Sequence, residues 1–525
     1  MRFATVCCWY TWHLFRTMPS SISGGFRFPA ARWLVWRCGA AFAALWAAGS
    51  ASALAPSGIA VEARLLTPIS SYSSKAGMPL AAEIMTPLCV GGGTPLPVGG
   101  TIFGTLKRVH RVGIGLIHET AGMQFQFRDL QLPDGRNYPV EAELTGIDNA
   151  RERVDRHGGI HGIRATATLS NRFGERLEFA ARADPDLWIP LFIVEAGVFR
   201  FPDPEIEYRR GTELELSVKL PDSLGPVSHC AMPAPQFSAG QWKQMQEIVN
   251  DLPFWTFSVR QHRPLDLVNL LFIGSEDDVR RAFQAAGWDG SLPNSPRAGM
   301  NAIRAIAREA GFEDAPMRTL LLDGAPPDIR LQKSLNTFQK RDHLRIWKRS
   351  GRLEDREVWA SAATRDLAVT FDLHPFGFTH RIQGNVDLER EKVVNDLMFT
   401  GCVDSVTYLR RPANLVAPGA SYRKGVETDE RVAVLLLNSC HAARIDEPAR
   451  QDTFQPGTTV RVLRRVILTA RNHFLRDNLI WRSGDAARLT FLAVRQWDRQ
   501  RREDHRAYRH EIVLQSSAPS PPPAP

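Results

Sequence analysis

The chain has 525 residues, of which 44% are hydrophobic and 23% are charged, a composition that excludes a largely disordered chain and a polytopic membrane protein. This length leaves room for two or three domains, each with a core of its own. The net charge of +9 includes five arginines and no acid in residues 1–53, and the rest carries 60 basic against 56 acidic residues, which argues against a nucleic-acid partner.

Residues 1–53 have the three parts of a secretory signal peptide. Arg32 and Arg37 are its basic region, a short apolar run follows, and Ala51–Ala53 is a cleavage site of small residues. The run is shorter than the roughly 20 residues that a spanning helix needs. We therefore expect an exported, periplasmic protein. A true start at Met18 and an uncleaved leader that anchors the chain in the inner membrane remain as alternatives.

Residues 54–225 have the pattern of short strands separated by glycine and proline turns. Met123, Phe125 and Phe127 alternate with polar residues, which is the period of a half-buried strand. The alternation returns over residues 140–144 and in the segment 210–220. This pattern predicts an all-β barrel or sandwich.

Three features of this module weakly resemble the small β-barrels of bacterial secretion-system and envelope proteins. They are the Leu-Pro-Val-Gly-Gly turn at residues 96–100, the Leu-Pro-Asp-Gly turn at residues 132–135 and the closing Gly-Thr strand at residues 211–212. The resemblance implies an architecture and no activity.

A connector at residues 226–263 leads to a second domain at residues 264–515. The connector contains one predicted amphipathic helix, over residues 241–252. In the second domain, the apolar run 267–273 predicts a buried strand, and Ser275 with Asp278 predicts the start of a helix. Further helices are predicted to begin at Pro296 and to span 386–400. Strands are predicted at 317–322, 343–347, 358–363, 367–371, 403–409, 432–437 and 459–468.

These elements predict a multidomain chain, with an α+β second domain built on a mixed or antiparallel sheet. Residues 516–525 are a proline-rich tail that we expect to be disordered.

The second domain resembles the LssY C-terminal family, most clearly over residues 264–409. The resemblance depends on short motifs in a fixed order, at residues 266–269, 286–288, 340–347, 358–359, 364–366, 379–382 and 387–390. Some relatives carry this domain fused to membrane phosphatase-like or DedA-like segments. This sequence has no such segments, so the resemblance implies no phosphatase chemistry here.

Four cysteines follow the leader, and an oxidising compartment would allow them to pair. Of the three connectivities, the one that respects the domain boundary joins Cys89 to Cys230 and Cys402 to Cys440. Four buried thiols without disulfides are the alternative.

A candidate polar cluster begins on the strand predicted at residues 343–347. Arg341, His343, Arg345 and Trp347 share one face of this strand, and the other face is apolar. Arginine offers a planar fork of donors for a phosphate or carboxylate.

Other polar residues follow at Asp366, His380, Asp387, Glu389 and Arg390. A turn that folds back beside the strand would bring them close to it. A structural ion-pair network is the favoured interpretation, and binding of an anionic ligand and catalysis are the alternatives. Neither His-Glu-x-x-His nor paired Cys-x-x-Cys spacing is present, so the sequence predicts no metal. It also has no Walker loop and no Gly-x-Gly-x-x-Gly fingerprint, so it predicts no nucleotide cofactor.

Residues 461–511 contain thirteen arginines and six acids, a composition that could attract nucleic acid or anionic lipid headgroups. Export argues against nucleic acid, and a solvated surface is the favoured interpretation.

The sequence predicts an envelope protein that binds a ligand or partner. The alternative is a periplasmic hydrolase of phosphoesters or lipids, with His343 and His380 at its centre.

Overall fold

A computed structural model describes most of the chain between residues 58 and 477. The predicted leader and the predicted proline-rich tail lie outside the described residues. None of the described helices is long and apolar enough to cross a membrane. The described residues are 58–90, 94–96, 99–113, 120–168, 170–171, 173–174, 177, 184–197, 203–230, 233–259, 263–292, 295–312, 315–333, 336–373, 376–411, 426–440, 458–477, 490–491 and 494–495.

The first domain is built from short and medium strands. They are β1 (Ile59–Leu65), β2 (Ile69–Ser70), β3 (Pro79–Ile84), β4 (Leu88–Val90), β5 (Thr94–Pro95), β6 (Thr101–His110), β7 (Gly122–Gln131), β8 (Asn137–Ile147), β9 (Arg153–Val154), β10 (Gly159–His161), β11 (Glu207–Tyr208), β12 (Glu213–Lys219) and β13 (Val227–His229).

Six of these strands close a barrel. The order is β6-β3-β1-β12-β8-β7, and pairing of β7 with β6 completes the ring. The predicted alternation is confirmed, because Met123, Phe125 and Phe127 of β7 point into the buried core with Leu214 and Leu216 of β12. The prediction of a barrel or sandwich is thus confirmed as a closed barrel.

One end of the barrel is defined by strand direction. All pairings in the ring are antiparallel, so β1, β6 and β8 run one way and β3, β7 and β12 run the other. The last residues of β1, β6 and β8 therefore lie at the same end as the first residues of β12. We call this the docking end of the barrel.

The second domain has strands β14 (Trp255–Ser258), β15 (Pro264–Leu267), β16 (Leu270–Ile273), β17 (Asp289–Gly290), β18 (Leu320–Leu321), β19 (Ile329–Lys333), β20 (Asp342–Leu353), β21 (Arg356–Leu373), β22 (Phe376–Ile382), β23 (Val403–Arg410) and β24 (Arg431–Leu437). Its main sheet has the order β17-β19-β20-β21-β16-β24-β23, and β22 pairs with β21. Only the pairing of β16 with β24 is parallel in this described sheet. The predicted mixed sheet is confirmed.

The described helices of at least ten residues are α1 (Trp188–Gly197), α2 (Ala239–Asn250), α3 (Glu276–Ala285), α4 (Pro296–Arg308), α5 (Asp387–Thr400) and α6 (Thr458–Asp477). Short 3-10 helices cover Ala165–Ala167, Pro185–Leu187 and Asp222–Leu224. Ser275 caps α3 and forms the expected reciprocal pair with Asp278.

The main sheet of the second domain is covered on both faces. Leu270 and Phe272 of β16 pack with α3 and α5, whereas Leu271 and Ile273 pack with α2 on the opposite face. This two-sided burial explains why residues 270–273 are apolar without alternation. The predicted faces of β20 are confirmed in the same way. Leu344 and Ile346 pack on the face of the sheet that α3 and α5 cover, and Trp347 packs on the face that α2 covers.

The predicted strand at 459–468 is wrong, because α6 occupies Thr458–Asp477. The β-branched residues at its start favour a strand, but two contacts with the barrel, made by residues three positions apart, favour a helix. Leu468 is buried in the barrel core, and Arg471 donates a 2.7 Å hydrogen bond to the carbonyl of Gly113, which follows β6. This part of the segment 264–515 therefore packs on the docking end of the barrel.

In the part of the chain that the structure describes, disulfides join Cys89 to Cys230 and Cys402 to Cys440. The first ties β4 to the residue after β13. The second ties the residue before β23 to a loop after β24. Both join residues within one domain.

The packing of α6 on the barrel generates a stability prediction. Leu468→Ala should destabilise the protein by about 2–4 kcal/mol, because it leaves a cavity where a leucine fills the barrel core. Chemical denaturation followed by circular dichroism measures the change.

The matched control is Leu463→Ala on the same helix, where the leucine is 61% exposed. This change should cost less than about 0.5 kcal/mol. Equal losses for the two variants would show that α6 does not pack on the barrel through Leu468.

Candidate functional site

The predicted polar residues before and within β20 form buried ion pairs. Arg341 Nε lies 3.0 Å from Asp366 Oδ2, and the same oxygen lies 3.6 Å from His343 Nδ1. The other ring nitrogen of His343 lies 2.9 Å from the hydroxyl of Thr364. His343 is only 5% exposed. The structure thus brings together Arg341, His343 and Asp366, with little solvent access to the ring.

Arg345 belongs to a separate pair. Its Nη1 lies 2.9 Å from Asp266 Oδ2, and its Nε donates a 3.1 Å hydrogen bond to the carbonyl of Arg318. Burial lowers the pKa of the Arg345 guanidinium below its ordinary value, although the nearby Asp266 carboxylate opposes this shift.

Asp387 and Arg390 lie together at the start of α5. Arg390 Nη1 lies 3.1 Å from Asp387 Oδ1 and 2.7 Å from Asp429 Oδ1. Burial raises the pKa of Asp387 to about 6, against the lowering effect of Arg390. For Asp429, burial alone would raise the pKa, but hydrogen bonds from Arg390 outweigh it and lower the pKa to about 2. These contacts fasten α5 to the residues before β24.

His380 lies on β22, where its backbone pairs with Val369. His343 pairs with Thr364, which precedes Val369 by five positions on β21. Five strand residues span about 15 Å, so the sheet register separates the two histidine backbones along β21. The side chain of His380 lies outside the described residues.

Glu389 points to a different place, where the second domain meets the docking end of the barrel. The charged side chains here form what we call the interdomain cluster. Its members are Glu62, Arg64, Asp148 and Glu213 of the barrel domain, with Lys333, Asp342, Arg365, Glu389, Lys392 and Asp396 of the second domain.

Glu213 lies at the centre of the interdomain cluster. Its Oε1 is 2.7 Å from Lys333 Nζ and 3.4 Å from Arg64 Nη2, and its Oε2 contacts Lys392. These cations lower the pKa of Glu213 well below its ordinary value, although burial opposes that shift. Lys333 Nζ also lies 2.5 Å from Asp396 Oδ2. One barrel carboxylate therefore holds two lysines of the other domain.

A second link starts at the loop that follows β8. Asp148 forms an ion pair with Arg365, whose Nε also lies 3.4 Å from Asp342 Oδ1. The amide of Asn149 donates a 2.9 Å hydrogen bond to Asp342 Oδ2. This loop thus binds strands β20 and β21 of the second domain.

Three carboxyl groups of the interdomain cluster have raised pKa values. Burial raises the pKa of Glu62 to about 7, against the lowering effect of Lys392. Burial also raises the pKa of Glu389 to about 7, although Arg365 and Lys392 lower it. The pKa of Asp342 is raised well above its ordinary value by burial and by the neighbouring Glu389. The cluster therefore holds protons near neutral pH.

The cavity in the interdomain cluster is small. Its volume, taken as the space that the centre of a water molecule can occupy, is about 20 Å³. The residues that line it include Glu62, Glu213, Arg365 and Lys392. That space is enough for about one water. Within the described residues, no group of three or more His, Cys, Asp or Glu side chains is arranged to hold a metal ion. The arrangement is suited to joining two domains and to holding protons.

The family comparison agrees with the motifs of the second domain. Residues 252–421 match the family described as LssY C-terminus. The predicted resemblance is confirmed, and the matched residues extend beyond both ends of the segment 264–409. No curated protein matches the chain.

Sequence reasoning missed most of the interdomain cluster. A signal was present on α5, where Glu389, Lys392 and Asp396 recur at the spacing of one helix face. Such a charged face is normally solvated, but here Lys392 is 7% exposed and Asp396 is fully buried. Part of the explanation is the docked barrel, which supplies Glu213 to Lys392.

Replacement of the central carboxylate should destabilise the protein. Glu213→Gln leaves Lys333, Lys392 and Arg64 buried around a neutral amide, which should cost about 3–5 kcal/mol. Chemical denaturation measures the loss.

The control is Glu141→Gln on β8, whose partner Lys219 lies 3.5 Å away at the surface. An exposed pair of this kind should change stability by less than about 1 kcal/mol. A Glu213→Gln variant as stable as this control would contradict the role given to Glu213.

The raised pKa of Glu389 predicts a pH dependence. The folded state retains a proton up to about pH 7, whereas an unfolded glutamate loses it near its ordinary value of 4.5. The resulting stability is fully present below pH 4.5 and is lost as the pH rises through 7. The free energy of unfolding of Glu389→Gln, relative to that of the wild type, should therefore increase by about 1–3 kcal/mol between pH 4.5 and pH 8. Chemical denaturation of both proteins at each pH measures this difference.

Asp429→Asn should show the opposite pH dependence: its stability relative to the wild type should fall as the pH rises. The pKa of Asp429 is lowered to about 2, so its contribution is present above the ordinary value of 3.8 and is lost as the pH falls towards 2. A difference between Glu389→Gln and the wild type that stays constant with pH would contradict the assignment.

Proposed function

We propose that the protein is an exported component of the cell envelope that binds a ligand or a partner without catalysing a reaction. The observation that carries the proposal is that the charged side chains of the predicted site are buried in ion pairs. Glu389, Arg365 and Lys392 of the LssY-like domain turn inwards to the barrel, and Arg341 and His343 form a second buried group. These residues are suited to building one rigid body.

Export is supported by two features of the chain. The sequence begins with the elements of a signal peptide. Cys89 with Cys230 and Cys402 with Cys440 form disulfides, which persist in oxidising compartments such as the periplasm.

A hydrolase that acts on phosphoesters or lipids is the less well supported alternative. A general base must come within hydrogen-bonding reach of its substrate. His343 is 5% exposed and faces Asp366 and Thr364, and the register places the backbone of His380 about 15 Å further along β21.

Export and binding can be tested in one experiment. The tagged full chain is expressed in a bacterial host, released from the periplasm after chemical crosslinking, and purified. N-terminal sequencing should find Leu54 first, because cleavage is expected after Ala53. The mature protein should be captured with an envelope component.

The matched variant is His343→Asn, which keeps a polar group beside Thr364. A structural role predicts a loss of about 1–3 kcal/mol in stability and the same captured partner. Recovery of the wild type alone, as a monomer free of lipid, would contradict the binding proposal. A hydrolytic activity of the wild type that the folded variant lacks would establish the alternative.

A further inference from the structure

Helix α6 presents its apolar side to solvent. Leu463 is 61% exposed, Val466 is 60% exposed and Phe474 is 58% exposed. Val460 and Val462 are also more than half exposed. Residues 462, 463, 466, 470 and 474 lie on one side of a helix, so these side chains form a continuous apolar stripe. A stripe of this kind marks an interaction surface.

Polar contacts fix the opposite side of α6 on the barrel. Arg464 pairs with Glu205 and donates a 3.1 Å hydrogen bond to the carbonyl of Val112. Arg471 is buried and donates to the carbonyl of Gly113, while Leu468 enters the barrel core. A surface helix of a globular protein normally buries its apolar stripe. Here the arginines hold the helix with the stripe turned outwards.

The positive charge of this part of the sequence indicates the kind of partner. Arg465 is exposed on α6, and residues 461–511 contain thirteen arginines against six acids. An apolar stripe on an arginine-rich helix is typical of helices that lie in the interface of an anionic bilayer. The apolar side chains would enter the headgroup region, and the exposed Arg465 would meet a lipid phosphate.

The short helix α1 also exposes apolar side chains. Ile189 is 68% exposed and Ile193 is 63% exposed, and Val194 is also exposed.

We propose that the outward face of α6 docks the protein on an anionic phospholipid membrane surface. The proposal deepens the proposed function and rests on it, because an exported envelope protein meets such a surface. The face is defined by Val462, Leu463, Val466 and Phe474.

Co-sedimentation with lipid vesicles tests the proposal. Residues 58–525 form one compact unit and serve as the protein, so that the leader does not contribute to binding. The protein is mixed with vesicles of phosphatidylglycerol and phosphatidylcholine in equal amounts, or of phosphatidylcholine alone. We expect binding to the anionic vesicles that weakens with added salt, and on the order of tenfold weaker binding to the neutral ones.

Leu463→Glu and Val466→Glu should each weaken binding to the anionic vesicles on the order of tenfold, because a charge replaces a buried aliphatic contact. Both residues are exposed, so the fold should be kept. The matched control is Val259→Glu, at a valine that is 50% exposed but lies beside β14. This control should bind like the wild type.

Failure of the wild type to bind the anionic vesicles, or undiminished binding by Leu463→Glu, would overturn the proposal. A dimer of the wild type that Leu463→Glu dissociates would also overturn it, and would assign the face to a second copy of the chain. None of these results depends on the leader or on capture of a periplasmic partner, so the proposed function fails or stands separately.

Discussion

The structure depends on how one buried carboxylate is neutralised. Glu213 begins strand β12 at the docking end of the barrel, and its charge would be costly there without nearby cations. Lys333 is the last residue of β19 in the main sheet and Lys392 lies on helix α5, and both reach this carboxylate. Since each domain supplies charges that the other neutralises, neither can expose this surface without leaving ions that have lost their partners. The barrel and the LssY-like domain are therefore expected to behave as one body.

This constraint shapes what the rest of the surface can do. The charged residues that first suggest a pocket, Arg341, His343 and Glu389, have internal roles, so recognition is left to side chains that the ion pairs do not use. The exposed side of α6 is the clearest of these. Arg464 and Arg471 fix its orientation at the same end of the barrel that docks the LssY-like domain. Assembly of the two domains and presentation of the outward apolar face thus depend on the same part of the barrel.

Much of the fold could be predicted from local patterns. Alternation in β7 gave the barrel strand, Ser275 with Asp278 gave the start of α3, and the apolar run at β16 gave a strand buried on both faces. The segment 459–468 was misassigned because its β-branched start suits a strand, whereas contacts distant in sequence, with Gly113 and the barrel core, favour a helix. The interdomain cluster depends on such contacts even more. Nothing near Lys392 in the sequence indicates that Glu213, 179 residues away, will bury it.

The most direct test of this account is a double-mutant cycle across the two domains. Glu213→Gln, Lys392→Met and the double variant are unfolded with denaturant, and the coupling free energy between the two positions is calculated from the four stabilities, the wild type included. If the buried pair holds the domains together, the double variant should be more stable than the sum of the single losses predicts, by at least about 1.5 kcal/mol. A coupling below about 0.3 kcal/mol would mean that the two charges act independently, and would contradict the central role of Glu213.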